Sequence, residues 1–419
     1  MMAGPVLAGD LAAVARLDDV AFYLGDPYPV YARLRREAPV FWCEPGRFWA
    51  LSKNEDIAWA ELQGNPPFTT TEGLFIPDAA RPDRVAERDP GGAQQSGAGF
   101  MSDPPGHTNF RRLVSAAFTP KRLADLEPRV RSIAAELVGA LPAGEPVDFV
   151  EAVSVPLAIQ VIGDFLGVPA QDWDQLRRWT DSFMLSNGME LAEGSPEAAQ
   201  MAADLAQMYG YFVQNLAECR RQPREDLMST VAVMQVDGEP LAEASQVAIC
   251  MSVLVAGNDT TRNTLSGAMV EFARHPDQWD RLAADPSLVP GTTEELLRWV
   301  CPVIHFGRRA TQDLVIRDQP IAAGDFVVML YGSANRDEDI WPDADIFDVA
   351  RPVTHKHLSF GWGLHRCIGA ALARTEIHAA LDEMLGRFSG WELAGTPTRL
   401  PSTLVNDYQH VPLTLAPRR

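Results

Sequence analysis

The residues that most constrain this chain are Phe360-Gly361-Trp362-Gly363-Leu364-His365-Arg366-Cys367-Ile368-Gly369, which run into Ala370-Ala371-Leu372-Ala373-Arg374. The second group consists of good helix formers. Two closely spaced glycines permit a tight turn and close approach of the backbone to a flat object. One cysteine then stands just ahead of a helix. Backbone N–H groups and the helix dipole favour a thiolate there over a thiol. Phe360 can shield the sulfur from water, and His365 and Arg366 place donors beside it. A lone cysteine in a Gly-rich turn is ordinarily a buried packing residue. The residues around this one outweigh that ordinary reading.

The other cysteines, Cys43, Cys219, Cys250 and Cys301, are widely spaced, the total of five is odd, and no C-x-x-C occurs. A disulfide framework and a structural zinc site are both disfavoured, and reduced thiols are expected. The 36 basic and 56 acidic side chains leave a net charge of −20. Such a chain is repelled by nucleic acid and by anionic membranes, so neither is an expected partner. The N-terminus has no basic segment, and Asp10 interrupts its apolar stretch. The longest uncharged apolar run, near Val247 to Gly257, is shorter than the ~20 residues needed to span a bilayer. It reads instead as a helix buried on all sides. The expected location is the cytoplasm.

Periodicity predicts helices over 27–38, 105–117, 121–140, 155–166, 170–185, 197–220, 243–275, 289–300 and 367–388. Residues 39–51 read as a strand, a Pro-Gly turn and a second strand, with further strands at 313–317, 325–331 and 411–415. The stretch from about Thr70 to Gly99 is rich in Gly, Pro, Asp and Gln, as expected of a lid-like loop. The first 25 residues are expected to be loosely ordered. The fold is therefore mainly α with small β-sheets, in one domain over residues 1–419.

Three other stretches carry chemistry. In Ala256-Gly257-Asn258-Asp259-Thr260-Thr261, Gly257 weakens the helix and a threonine hydroxyl competes for a backbone carbonyl. The expected result is a groove with a carboxylate beside a hydroxyl. Such residues are usually solvated or capping, but these follow an apolar run, where a free carboxylate is costly. In Glu295-Leu296-Leu297-Arg298 the charges are three apart, a routine helical pair of about 0.2–0.5 kcal/mol by itself. In Asp103-Pro104-Pro105-Gly106-His107-Thr108-Asn109-Phe110-Arg111-Arg112, the prolines start a helix. His107 and Arg111 then share one face. That face suits carboxylates, although a solvated basic face is the plain alternative.

The run from Phe360 to Gly369 resembles the haem-binding loop of the cytochrome P450 family, F-G-x-G-x-H-x-C-x-G, at every specified position. The other three stretches resemble that family's motifs and stand in its order, across about residues 27 to 415. The resemblance implies the cytochrome P450 fold, haem b (iron-protoporphyrin IX) as cofactor and Cys367 as the proximal thiolate and metal ligand, which favours O–O cleavage. It implies that Thr260 hydrogen-bonds dioxygen and that Asp259 relays protons, the general-acid part of the reaction. It assigns the haem propionates to His107, Arg111, His365 and Arg308, with the adjacent Arg309 an alternative to Arg308. Glu295, Arg298 and Arg351 are implied as a structural brace for the thiolate loop.

The implied activity is a monooxygenase that inserts one oxygen atom of O2 into an apolar small molecule. Ala256 to Asn263 and Ser333-Ala334-Asn335-Arg336-Asp337 look like bacterial members that oxidise terpenes and sterol side chains, so a terpenoid or steroid is favoured. A fatty acid, polyketide or aromatic substrate is the alternative within the class. A haem-thiolate sensor is the alternative outside it, and a peroxygenase is a nearer one. A sensor does not need Asp259 and Thr260, and a peroxygenase commonly lacks them. Expected pocket walls are the 70–101 loop, the 184–212 region with Met184, Met189, Met201, Leu205, Met208 and Phe212, the helix from Leu254 to Thr260, and Val303 to Phe306. For each of these, plain core packing is at least an equal reading.

With no flavin or iron–sulfur signature, electrons are expected from a ferredoxin-type donor and its NAD(P)H-dependent reductase. Residues 105–131 carry six basic and two acidic side chains. With Arg366 and Arg374 they form an expected docking face for an acidic partner. The protein is expected to be a monomer.

Overall fold

The computed structural model describes residues 10–80, 101–188, 194–236, 238–352 and 357–418. Its axis is the helix Glu243–Arg274, buried on nearly every side through residues such as Val247, Cys250, Leu254, Leu265 and Met269. Such a helix needs apolar side chains all round, as its sequence has. Helix Val155–Leu166 packs on it and stops at Gly167, whose φ of 85° is the left-handed end that glycine permits. Helix Ala370–Arg387 packs on its other side and against Pro120–Gly139.

The largest sheet has five strands, in the order Val40–Cys43, Phe48–Leu51, Phe326–Leu330, His305–Ala310, Phe68–Thr69. The first two form the expected hairpin, with Val40 opposite Leu51. Phe326–Leu330 pairs parallel with Phe48–Leu51 and antiparallel with His305–Ala310. The latter strand carries both Arg308 and Arg309. With two arginines and a glycine it has no strand pattern in sequence. It is buried almost throughout, and backbone carbonyls accept from each guanidinium.

Helices Asn54–Leu62 and Pro276–Ala284 were also not predicted. The predicted helix over 367–388 begins at Ala370. Loose ordering of the first 25 residues does not hold from residue 10 onward. Short helices Leu11–Val14 and Val20–Leu24 occur there, and Leu17 and Tyr23 are buried, with the Tyr23 hydroxyl donating to the Leu17 carbonyl at 2.8 Å.

The first part of the expected lid-like loop is structured. Thr70 is buried and bonded to Asp103, and Ile76–Ala80 is helical. Residues 81–100 lie outside the described residues. Among the described residues, no helix is long and apolar enough to cross a membrane.

Candidate active site

The thiolate loop is built by its glycines. Gly361 and Gly363 have φ of 62° and 63°. A Cβ on Gly363 would fall 2.2 Å from the Glu61 carbonyl oxygen. The close backbone approach is therefore made to helix Asn54–Leu62. The Cys367 N–H donates to the Phe360 carbonyl at 2.7 Å, which closes the loop.

Cys367 opens onto a cavity lined on one side by Ala256, Gly257 and Thr260 of the long helix. The cavity lies inside the protein, and burial raises the thiol above its ordinary range. The Gly369 amide and the cations Arg111, Arg374 and Arg366 oppose this without prevailing. The low-pKa thiol expected from the helix terminus alone is thus not what the bare protein holds. A metal cation at the sulfur is what deprotonates such a ligand.

His107, Arg111, Arg308 and His365 all line this cavity. The His107 and His365 rings are 4.0 Å apart. Burial, together with nearby cations, drives His107 down to about 4 and His365 to about 2. Burial also lowers Arg111. With both imidazoles neutral, Arg111 and Arg308 supply the positive charge and the imidazoles add N–H donors, a set that fits a guest bearing two carboxylates. Arg309 is used elsewhere, donating to the carbonyls of Gly324 at 2.8 Å and Asp78 at 3.0 Å. Of the two adjacent arginines, Arg308 is the one at the cavity. A thiol, two arginines with two imidazoles, and apolar walls around one cavity fit haem b.

Sequence reasoning missed Glu61 and Tyr331. The Tyr331 hydroxyl donates to Glu61 Oε1 at 2.5 Å, and Arg308 reaches the same oxygen at 3.5 Å. Residues 61, 308 and 331 are too far apart in the chain for spacing to reveal them. Glu376, buried and with Oε2 lacking a partner, also lines the cavity.

Thr260 donates its hydroxyl to the Ala256 carbonyl at 3.0 Å, as its position in the helix suggested. The helix is nonetheless unbroken there. Asp259 does not share the groove with that hydroxyl. It is 0% exposed, absent from the cavity wall and 2.9 Å from Arg262. Burial raises it to about 7, with Arg262 opposing and Asp181 and Asp407 reinforcing.

The expected substrate walls are partly met. Leu74, Phe75, Phe183, Met184, Val255, Val303, Phe306, Leu404 and Val405 line the cavity. The stripe of Leu205, Met208 and Phe212 does not. It packs in a separate core with Cys219, Cys250 and Trp179. Met201 is also absent from the wall, and Met189 lies outside the described residues.

The docking face is smaller than expected. Arg374 is bonded to both oxygens of Glu294, Arg129 to Asp164, and Arg131 to Glu127 and Asp382. Arg112, Lys121, Arg122 and Arg366 are the exposed cations left there.

The family model described as Cytochrome P450 matches residues 284–404. A linalool 8-monooxygenase of Pseudomonas putida is 34% identical, over 94% of this chain and 96% of its own. A methyl-branched lipid omega-hydroxylase of Mycobacterium tuberculosis is 36% identical, over 92% of this chain and 90% of its own. Among solved structures, a Mycobacterium marinum cytochrome P450 in complex with pseudoionone is 31% identical with a TM-score of 0.83, covering 94% of this chain and 97% of that one. With likeness of this degree running almost from end to end, the chain belongs to the cytochrome P450 family and is a haem b-binding monooxygenase.

Proposed function

We propose that this protein oxidises an apolar terpenoid- or steroid-like molecule, using O2 and electrons from a ferredoxin-type donor with its NAD(P)H-dependent reductase. We read the chain as one domain. The observation that carries the proposal is the apolar wall of Leu74, Phe75, Phe183, Met184, Val303 and Phe306 in the same cavity as Cys367 and Thr260. A hydrocarbon skeleton gains about 25 cal/mol per Å² buried against such a wall. A charged group without a partner there loses several kcal/mol. The linalool 8-monooxygenase supports a terpenoid, and the methyl-branched lipid omega-hydroxylase supports an apolar substrate more broadly.

Haem b, with Cys367 at its iron and His107, Arg111, Arg308 and His365 at its propionates, supplies the oxygen chemistry when bound. The chain's own residues do the rest. The apolar wall excludes water and holds the substrate. Thr260 orients a hydroxyl into the cavity while its own proton is committed to the Ala256 carbonyl. Asp259 holds a proton near neutral pH, which suits a general acid. It is the chain neighbour of Thr260.

Two measurements test this. A monoterpene, a sterol, a fatty acid, a macrolide and an aromatic amino acid are titrated against the ferric protein. The terpene or sterol should displace the water ligand and shift the haem spectrum toward high spin. Tight binding of the amino acid alone would sink the proposal, and preference for the fatty acid or macrolide would overturn only the substrate class. Thr260→Ala should uncouple turnover. NAD(P)H consumption continues, peroxide accumulates, and product per electron falls on the order of tenfold or more, within the range of lost acid–base assistance. Unchanged coupling removes Thr260 from the mechanism. Asp259→Asn should instead slow turnover.

A further inference from the structure

The charges around Arg262 exceed what a two-residue relay needs. Arg262 is 5% exposed and meets three carboxylates: Asp259 at 2.9 Å, Asp181 at 2.8 Å and Asp407 at 2.5 Å. They come from three places in the fold. Asp259 shares the long helix, Asp181 lies on Trp173–Gly188, and Asp407 directly precedes strand Tyr408–His410. Asp407 is buried and its Oδ1 has no partner, and neither Asp259 oxygen has a well-aligned hydrogen bond. Asp181 is the open member, with 37% of its side chain exposed.

Three negative charges against one positive charge, mostly out of water, leave negative charge uncompensated. A proton held in the cluster is the least costly relief. We propose that Asp407 and Asp181, acting through Arg262, are positioning residues that set the pH at which Asp259 releases its proton. The proposal rests on reading Asp259 as the proton-holding acid of the site.

The direction follows from the neighbours. Each extra carboxylate disfavours ionised Asp259, and each also draws on the guanidinium that would stabilise it. Asp407 is itself raised by burial, with Arg262 opposing. Arg177, 3.8 Å from Asp181, is held by Glu151, and Asp164 on the packed helix Val155–Leu166 is held by Arg129. Asp407→Asn keeps the shape, removes one negative charge and leaves Arg262 more available to Asp259. Both effects lower the pH at which Asp259 ionises.

The test is an infrared titration of the haem-loaded protein, labelled with 13C-aspartate, between pH 5 and 9. The protonated carboxyl band missing in Asp259→Asn identifies Asp259. In the unsubstituted protein that band should disappear near neutrality. In Asp407→Asn it should disappear roughly one pH unit lower, the scale of losing one close like charge. Asp181→Asn should shift it the same way by less, because solvent screens that group. It also serves if Asp407→Asn does not fold. An unmoved midpoint in both variants, or no Asp259 band at any pH, overturns the proposal. The pH profile of coupling separates the two readings. If the band moves and the profile does not, the cluster stands and the catalytic role of Asp259 falls.

Discussion

Cys367→His should abolish the red-shifted Soret band of the reduced carbonyl complex and reduce monooxygenation to background. The band reports a thiolate opposite the carbonyl ligand, and histidine offers a neutral nitrogen with no electron push. The cavity geometry makes the effect specific. Cys43, Cys219, Cys250 and Cys301 are all buried in packed protein, and none reaches the cavity wall. Burial lifts Cys43 to about 11 and Cys301 to about 12, as it also raises Cys367, so it is position at the cavity wall that singles out Cys367. Replacing any of these four by serine should leave the band in place. A Cys367→His protein that kept it would require a different sulfur at the iron.

The thiolate loop was readable because its requirements are local. Two positive-φ glycines, a cysteine and a helix start all lie within ten consecutive residues. The same holds for helix Val155–Leu166, whose limits agree with the range its periodicity predicts and are marked by a proline near its start and a glycine past its end. His107 and Arg111 reach the cavity together because they share a helical face.

What spacing does not contain is which neighbour each face meets. Met208 and Phe212 have the period of a pocket wall, yet that face packs into a core with Cys219 and Trp179. Asp259 and Thr260 are adjacent, but adjacent helical residues point about 100° apart, which sends one to the cavity and the other to Arg262. Arg262 stands three residues after Asp259, a spacing at which helical side chains meet. Asp181 and Asp407 are brought to it only by the packed fold.

Glu295→Ala should be among the most destabilising single substitutions in the protein, by about 3–5 kcal/mol. As an isolated helical pair, Glu295 and Arg298 would contribute about 0.2–0.5 kcal/mol. Here both side chains are 1% exposed, and the guanidinium meets the carboxylate through two bonds of 2.7 and 2.8 Å. Arg298 also donates to the carbonyls of Asn335 at 2.9 Å, Ala344 at 2.8 Å and Ile346 at 3.1 Å. Glu295 accepts from the Asp348 N–H at 3.0 Å and has Arg351 at 3.0 Å.

From Asn335 the brace continues to the thiolate loop. The Asn335 amide donates to the Ser359 hydroxyl at 2.8 Å and accepts from the Leu358 N–H at 2.7 Å. Removing the carboxylate leaves Arg298 and Arg351 facing each other in a buried site with no counter-charge. That penalty takes a large share of the roughly 5–15 kcal/mol that holds a typical domain folded. Replacing Glu295 and Arg298 together by leucine and methionine should cost less than the sum of the single changes, because no charge is then stranded. Urea unfolding gives the stability change, and haem transfer to apomyoglobin reports whether the loop still holds the cofactor. A loss below about 1 kcal/mol would mean the pair behaves like an exposed ion pair, and Glu295 would then not be the brace.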